Sequence, residues 1–232
     1  MTNGYSQSPK LLKGALIRFD AATPIPVPNI IVFQYNPESV TRKLSPWYSK
    51  KDTDDPRIKD TLGEAYDPEE TLSLKLWLDA ADALEEPHTH PVAVLSGIAD
   101  RIAAIEMLLY PTQSEGPLLK ALNSLTGGPK VDVISRTKVP VVLFFWGPGR
   151  IVPVRITGFS VDEQAYSPTL YPIHAEATLD LRVLDAAMFD KDDKSAEVKI
   201  ARACYLYTRG QKQALSAANL VNSFESMGLL PF

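Results

Sequence analysis

Thr71-Leu72-Ser73-Leu74-Lys75-Leu76-Trp77-Leu78 places a leucine at every second position. In an extended chain successive side chains leave opposite faces, so the four leucines share one side. Thr71, Ser73, Lys75 and Trp77 share the other. Leucine is a modest strand former, so the pattern rather than propensity specifies a half-buried strand. The stretch from Ile173 to Leu184 repeats the design: Ala175, Ala177, Leu179, Leu181 and Val183 oppose Glu176, Thr178, Asp180 and Arg182. Two such strands predict a β-rich domain.

Working outward, Gly14 to Phe19 has strand period, and Pro24, Pro26 and Pro28 mark an extended connector. Ile30 to Tyr35 is rich in β-branched and aromatic residues and ends at the turn signal Asn36-Pro37. Val139 to Trp146 is almost continuously apolar, which predicts a strand covered on both faces. Gly147-Pro148-Gly149 turns the chain, and Ile151 to Phe159 leads back.

The remaining segments differ. Residues 42–70 carry many charges with Pro46, Pro56, Gly63 and Pro68, which predicts a long polar loop of the kind that contacts partners. Val92 to Tyr110 has helical period, with Leu95, Ile98, Ile102 and Ile105 on one stripe and Pro111 as a stop. A shorter helix is expected over Gly116 to Leu125. After Asp185 the composition shifts. Two helices are expected, Ser195 to Tyr207 and Gln211 to Phe224, broken at Gly210. The chain therefore divides into a β domain, residues 1–189, and a C-terminal helical extension, residues 190–232.

The bulk composition bounds the function. With 232 residues and 45% hydrophobic side chains, the chain is long enough to bury its own core. A net charge of −4 supplies no basic excess for counterion release, so nucleic acid is not an expected partner. One cysteine, Cys204, excludes an internal disulfide framework. Residues 1–10 lack the apolar core of a signal peptide, and no apolar run approaches the roughly 20 residues of a membrane span. The expectation is cytoplasmic synthesis without a leader and no membrane insertion.

Chemistry-bearing residues are few. His88 and His90 in Pro87-His88-Thr89-His90-Pro91 could begin a metal site, with His174 or Cys204 as a third ligand. None of these lies in a ligand motif, and a proline-flanked loop before a helix accounts for the pair. Asp52, Asp54 and Asp55 lack the glycine and glutamate of a calcium loop. No phosphate-binding glycine motif and no nucleophile elbow occurs. Neither a catalytic residue nor a metal or other cofactor is expected, and the chain reads as a non-enzyme. The rival from another class is a metal-dependent enzyme built on His88 and His90. Trp47 and Tyr48, with Asp54 and Arg57 in the same charged loop, and Trp77 on the polar side of its strand are candidate interface residues, because aromatics are enriched where proteins meet.

Two short motifs add a resemblance. Phe33-Gln34-Tyr35-Asn36-Pro37 is similar to an F-x-[FY]-N-P opening, and Pro140 to Gly147, ending Phe144-Phe145-Trp146-Gly147, is similar to a P-x-[VL]-x-F-x-W-G strand. In this order, over roughly Lys10 to Leu184, they resemble the N-terminal domain of contractile injection system tube proteins, the baseplate hub adaptors and tube initiators of phage-tail-like particles. The family residues are thus Phe33, Tyr35, Asn36, Pro37, Phe145, Trp146 and Gly147. The resemblance implies an α+β, mainly β, tail-tube-like fold, two packed antiparallel sheets as a split barrel with a flanking helix. It also implies a hexameric ring that joins inner tube protein to the spike or hub and baseplate components. A repeating inner-tube subunit is the close alternative. The G-D-T-L opening of a LysM module is not found after Arg209, so peptidoglycan binding is not carried over.

Overall fold

The computed structural model describes residues 11–20, 27–46, 67–110, 139–190 and 193–227. Seven strands form: β1 (Ala15–Asp20), β2 (Val27–Val32), β3 (Val40–Ser45), β4 (Glu69–Asp79), β5 (Val142–Phe145), β6 (Ile151–Tyr166) and β7 (Pro172–Val183). Helices α1 (Ala81–Glu85), α2 (Pro91–Ser96) and α3 (Ala99–Glu106) follow β4, and α4 (Ala196–Met227) ends the described chain. All seven strands join one antiparallel sheet in the order β2-β1-β5-β6-β7-β4-β3. The fold is α+β, mainly β, as expected, but the described strands make one unclosed sheet rather than two packed ones.

The alternating stretches behave as their pattern requires. Leu72, Leu74, Leu76 and Leu78 are all buried, and they register with Leu181, Leu179, Ala177 and Ala175 of β7. Leucine faces leucine at one end of the pair and alanine at the other. The alanine end belongs to the same buried cluster as Ile98, Ile102 and Ile105. Each fully buried leucine stabilises the fold by roughly 1.5–3 kcal/mol relative to exposure. The continuously apolar Val142, Leu143 and Phe144 are buried on both faces of β5, as their composition predicts.

Four local expectations are corrected. The expected helix over Val92 to Tyr110 is two helices, α2 and α3, which meet at Gly97. Gly97 has φ +57, and a Cβ there would lie 2.1 Å from the Pro172 carbonyl oxygen. Only glycine fits this close approach. The redirected chain then leaves Leu95 75% exposed while Ile98, Ile102 and Ile105 stay on the core. The expected loop 42–70 is strand at both ends, because β3 runs to Ser45 and β4 begins at Glu69. β6 continues to Tyr166, beyond the expected end at Phe159. Finally, α4 runs unbroken through Gly210. A single glycine costs a helix about 1 kcal/mol, which does not terminate 32 residues held elsewhere. The helix expected over Gly116 to Leu125 lies outside the described residues.

The first half of α4 shares the core of the sheet. Val198, Ala201 and Thr208 are buried, and Tyr205 packs against the core cluster. The Thr208 hydroxyl donates to the Ile151 carbonyl at 2.7 Å and accepts from its N–H at 3.1 Å. Two carboxylates at the start of β4 then hold the helix. Asp67 accepts from Tyr205 (2.8 Å) and Arg209 (2.9 Å), and Glu70 pairs with Lys212 (2.6 Å) and Arg42 (3.8 Å). Beyond Gln211 every described side chain of α4 is exposed, to Leu220.

Candidate functional site

The two family-like motifs meet around Gly14. A Cβ on Gly14 would lie 2.7 Å from both Phe33 and Trp146, so only a bare backbone fits between them. Phe144 bridges the pair, stacked on Trp146 at 5.9 Å and tilted against Phe33 at 6.4 Å. The Asn36 carboxamide accepts from the Gly14 N–H and donates to the Leu12 carbonyl, both at 2.8 Å. It therefore extends the edge of β1 with a side chain in place of a strand. Trp146 and Gly147 make the turn into β6, with the Trp146 N–H on the Arg150 carbonyl and Gly147 at φ +77. Tyr35 is exposed beside Asp82, Pro37 is buried and Phe145 is half-buried. These residues organise the motif junction structurally.

Gln34, which the residue pattern does not single out, ties two distant strands. Its carboxamide donates to the Asp79 carbonyl (2.9 Å) and accepts from the Asp79 N–H (3.0 Å). Arg101 of α3 donates to the same carbonyl at 2.8 Å and to the Gln34 amide oxygen. The end of β2 is thereby held against the end of β4. Between them lies a cleft of about 430 Å³ whose walls include Ile30, Val32, Trp77 and Leu78, with Lys13, Asp100 and Arg101 also lining it. Ile30 and Val32 are 53% and 54% exposed. The ladder between β3 and β4 stops at Leu74, so the β4 edge from Lys75 to Asp79 is unpaired by strand on this side among the described residues.

A second open edge belongs to β6. β5 pairs with it only from Ile151 to Val154, whereas β7 follows it to Tyr166. Beyond Val154, no described strand covers the other side of β6. The outer part of β6, from Phe159 to Tyr166, is thus an edge arm backed by β7, which itself pairs with β4 as far as His174. Its turn region carries Ala165 and Leu170 at positive φ (52 and 63), a conformation that costs side-chain-bearing residues roughly 1–2 kcal/mol each. Such strain is kept where a particular tip shape matters.

Among the interface candidates, Trp77 is 41% exposed, with its ring 5.7 Å from that of His174. It faces outward beside the Lys75–Glu176 ion pair, as its alternation predicts. Trp47, Tyr48, Asp54 and Arg57, with Asp52 and Asp55, lie outside the described residues. His88 and His90 are exposed between α1 and α2, and His174 sits 3.5 Å from Asp79. Among the described residues no three histidine, cysteine or carboxylate side chains gather as a metal site. Burial pushes the Cys204 thiol pKa up, which disfavours the reactive thiolate. No described helix is long and apolar enough to cross a membrane. No protein-family model matches the chain, and no curated protein matches it.

Proposed function

We propose that this chain is a ring-forming structural subunit that joins the inner tube of a contractile injection system to its spike and baseplate, and that templates tube assembly. The observation that carries this reading is the unfinished sheet: among the described residues β2 and β3 are open on their outer sides, and β6 is open beyond Val154. Unpaired strand edges are templates for pairing, and proteins that keep them long use or protect them. A head-to-tail ring joins two different edges of each copy. The Gln34 bridge between the ends of β2 and β4 supports a split-barrel, tail-tube-like description of the sheet. The convergence of the Phe33–Pro37 and Phe144–Gly147 motifs on Gly14 gives the resemblance a physical basis.

Helix α4 favours the junction over the repeating tube subunit. Its 32 residues span about 48 Å, and its side chains from Lys212 to Leu220 are exposed. A subunit repeated in every ring must accommodate such an appendage at every level, whereas a junction ring does so once. Negative-stain imaging of the purified chain is expected to show closed hexameric rings. Within the particle, one ring of density is expected at the tube–spike boundary. A protein that stays monomeric at all concentrations refutes the ring, and a copy number matching the whole tube assigns the chain to the tube itself.

A further inference from the structure

We infer that the open edge of the arm, Phe159 to Tyr166 of β6, docks along the outer edge of β2 in the cleft of the next copy. This rests on the ring reading and names the contact within it. Both surfaces are backbone edges that face no strand among the described residues. The chemistry that satisfies a row of alternating N–H and C=O groups is another strand, which narrows the occupant to an extended segment.

Charge selects the arm as that segment. At the cleft, Lys13 bonds to the Gln34 carbonyl, and Arg101 bonds to the Asp79 carbonyl and the Gln34 amide. Among the described residues neither cation has a carboxylate bonded to it there. Among the described lining residues Lys13 and Arg101 face one acid, Asp100, so this lining is net positive. On the arm, Asp162 and Glu163 are adjacent, exposed and without a bonded cation among the described residues. Each surface therefore holds the charge the other lacks, and complementary charge fixes partner and register. The apolar side matches as well. Ile30, Val32 and Trp77 are exposed at the cleft, and Tyr166 is exposed on the arm. Among the described strands the arm is outermost on that side of β7, so its edge is open to a neighbour.

Charge reversal tests the contact. Lys13→Glu alone, and Asp162→Lys with Glu163→Lys, change only exposed side chains. Each is expected to raise the concentration of half-assembly about tenfold or more, read by sedimentation velocity. Combining all three substitutions is expected to recover most of the loss, which a general defect in folding would not do. Rings that form equally well in every variant overturn this contact and leave the ring reading standing. A wild-type chain that never assembles overturns both. Loss in the single reversals without recovery in the combination also overturns the contact.

Discussion

Strands β4 and β6 are written in similar alternating code yet differ in fate. Along β4 the burial alternates cleanly, and Leu72, Leu74, Leu76 and Leu78 are all covered. Along β6 it decays: Val152, Val154 and Ile156 are buried, Phe159 and Val161 are half-buried, and Asp162 to Tyr166 are exposed. The difference lies in what covers each strand. β4 lies between β7 and β3 as far as Leu74, and its leucine face shares a cluster with Ile98, Ile102 and Ile105 of the helical layer, whereas the outer part of β6 has β7 alone as a described strand neighbour. One strand is a core element and the other becomes an edge, although both alternate.

The largest expected effect belongs to the core strand. Leu74→Ala leaves a cavity between β3 and β7 and should cost about 3 kcal/mol in urea or guanidinium unfolding. A loss under about 1 kcal/mol would show that the β4 face is loosely packed and break the contrast. Gly97→Ala comes next, at roughly 2 kcal/mol, because its new methyl would meet the Pro172 carbonyl where β7 begins. Unchanged stability would mean that the turn between α2 and α3 does not support the start of β7.

The Tyr205 anchor sharpens the comparison by pH. Burial first, then the hydrogen bond to Asp67, pushes its phenol pKa well above the ordinary value of 10.0. Between the unfolded and folded values the unfolded chain has released a proton that the folded chain still holds. Stability from this group is therefore complete below about pH 10 and falls as pH rises above it. Tyr205→Phe should flatten that alkaline slope in thermal melts, and an identical slope in both proteins would remove Tyr205 as its source. The smallest effect is Val161→Ala on the arm. It should change monomer stability by less than about 1 kcal/mol because the side chain is only half-buried. Its effect on assembly should be larger than its effect on unfolding. Equal effects would place Val161 in the core and erase the distinction from β4.

Legibility followed the range of the interactions concerned. The residues from Thr71 to Leu78 and from Ile173 to Leu184 announce their strands because neighbouring side chains suffice to define a period-two face. Phe33, Asn36 and Trp146 stood out as motif members. Gln34 and Arg101 did not, because a single glutamine and a single arginine carry no local signal of the Asp79 backbone they share. Leu95 fitted a helical stripe in sequence and fell off it in space, since the Gly97 turn depends on Pro172, far along the chain. Gly210 looked like a break and is not one, because the contacts of Tyr205, Thr208 and Lys212 hold the preceding and following turns.

The sequence by itself determined that this is a mainly β chain, which residues of β4, β5 and β7 face inward, and that no recognisable catalytic motif is written into it. These properties follow from side-chain period and residue type, which are local. Only the tertiary structure decided that the described strands form one unclosed sheet, that β1 lies between β2 and β5, and that the outer half of β6 lacks a second neighbour. Strand order is set by pairings such as Leu16 with Phe144, whose partners are separated by most of the chain. A period-two pattern specifies which face of a strand is buried, but not which strand will lie beside it.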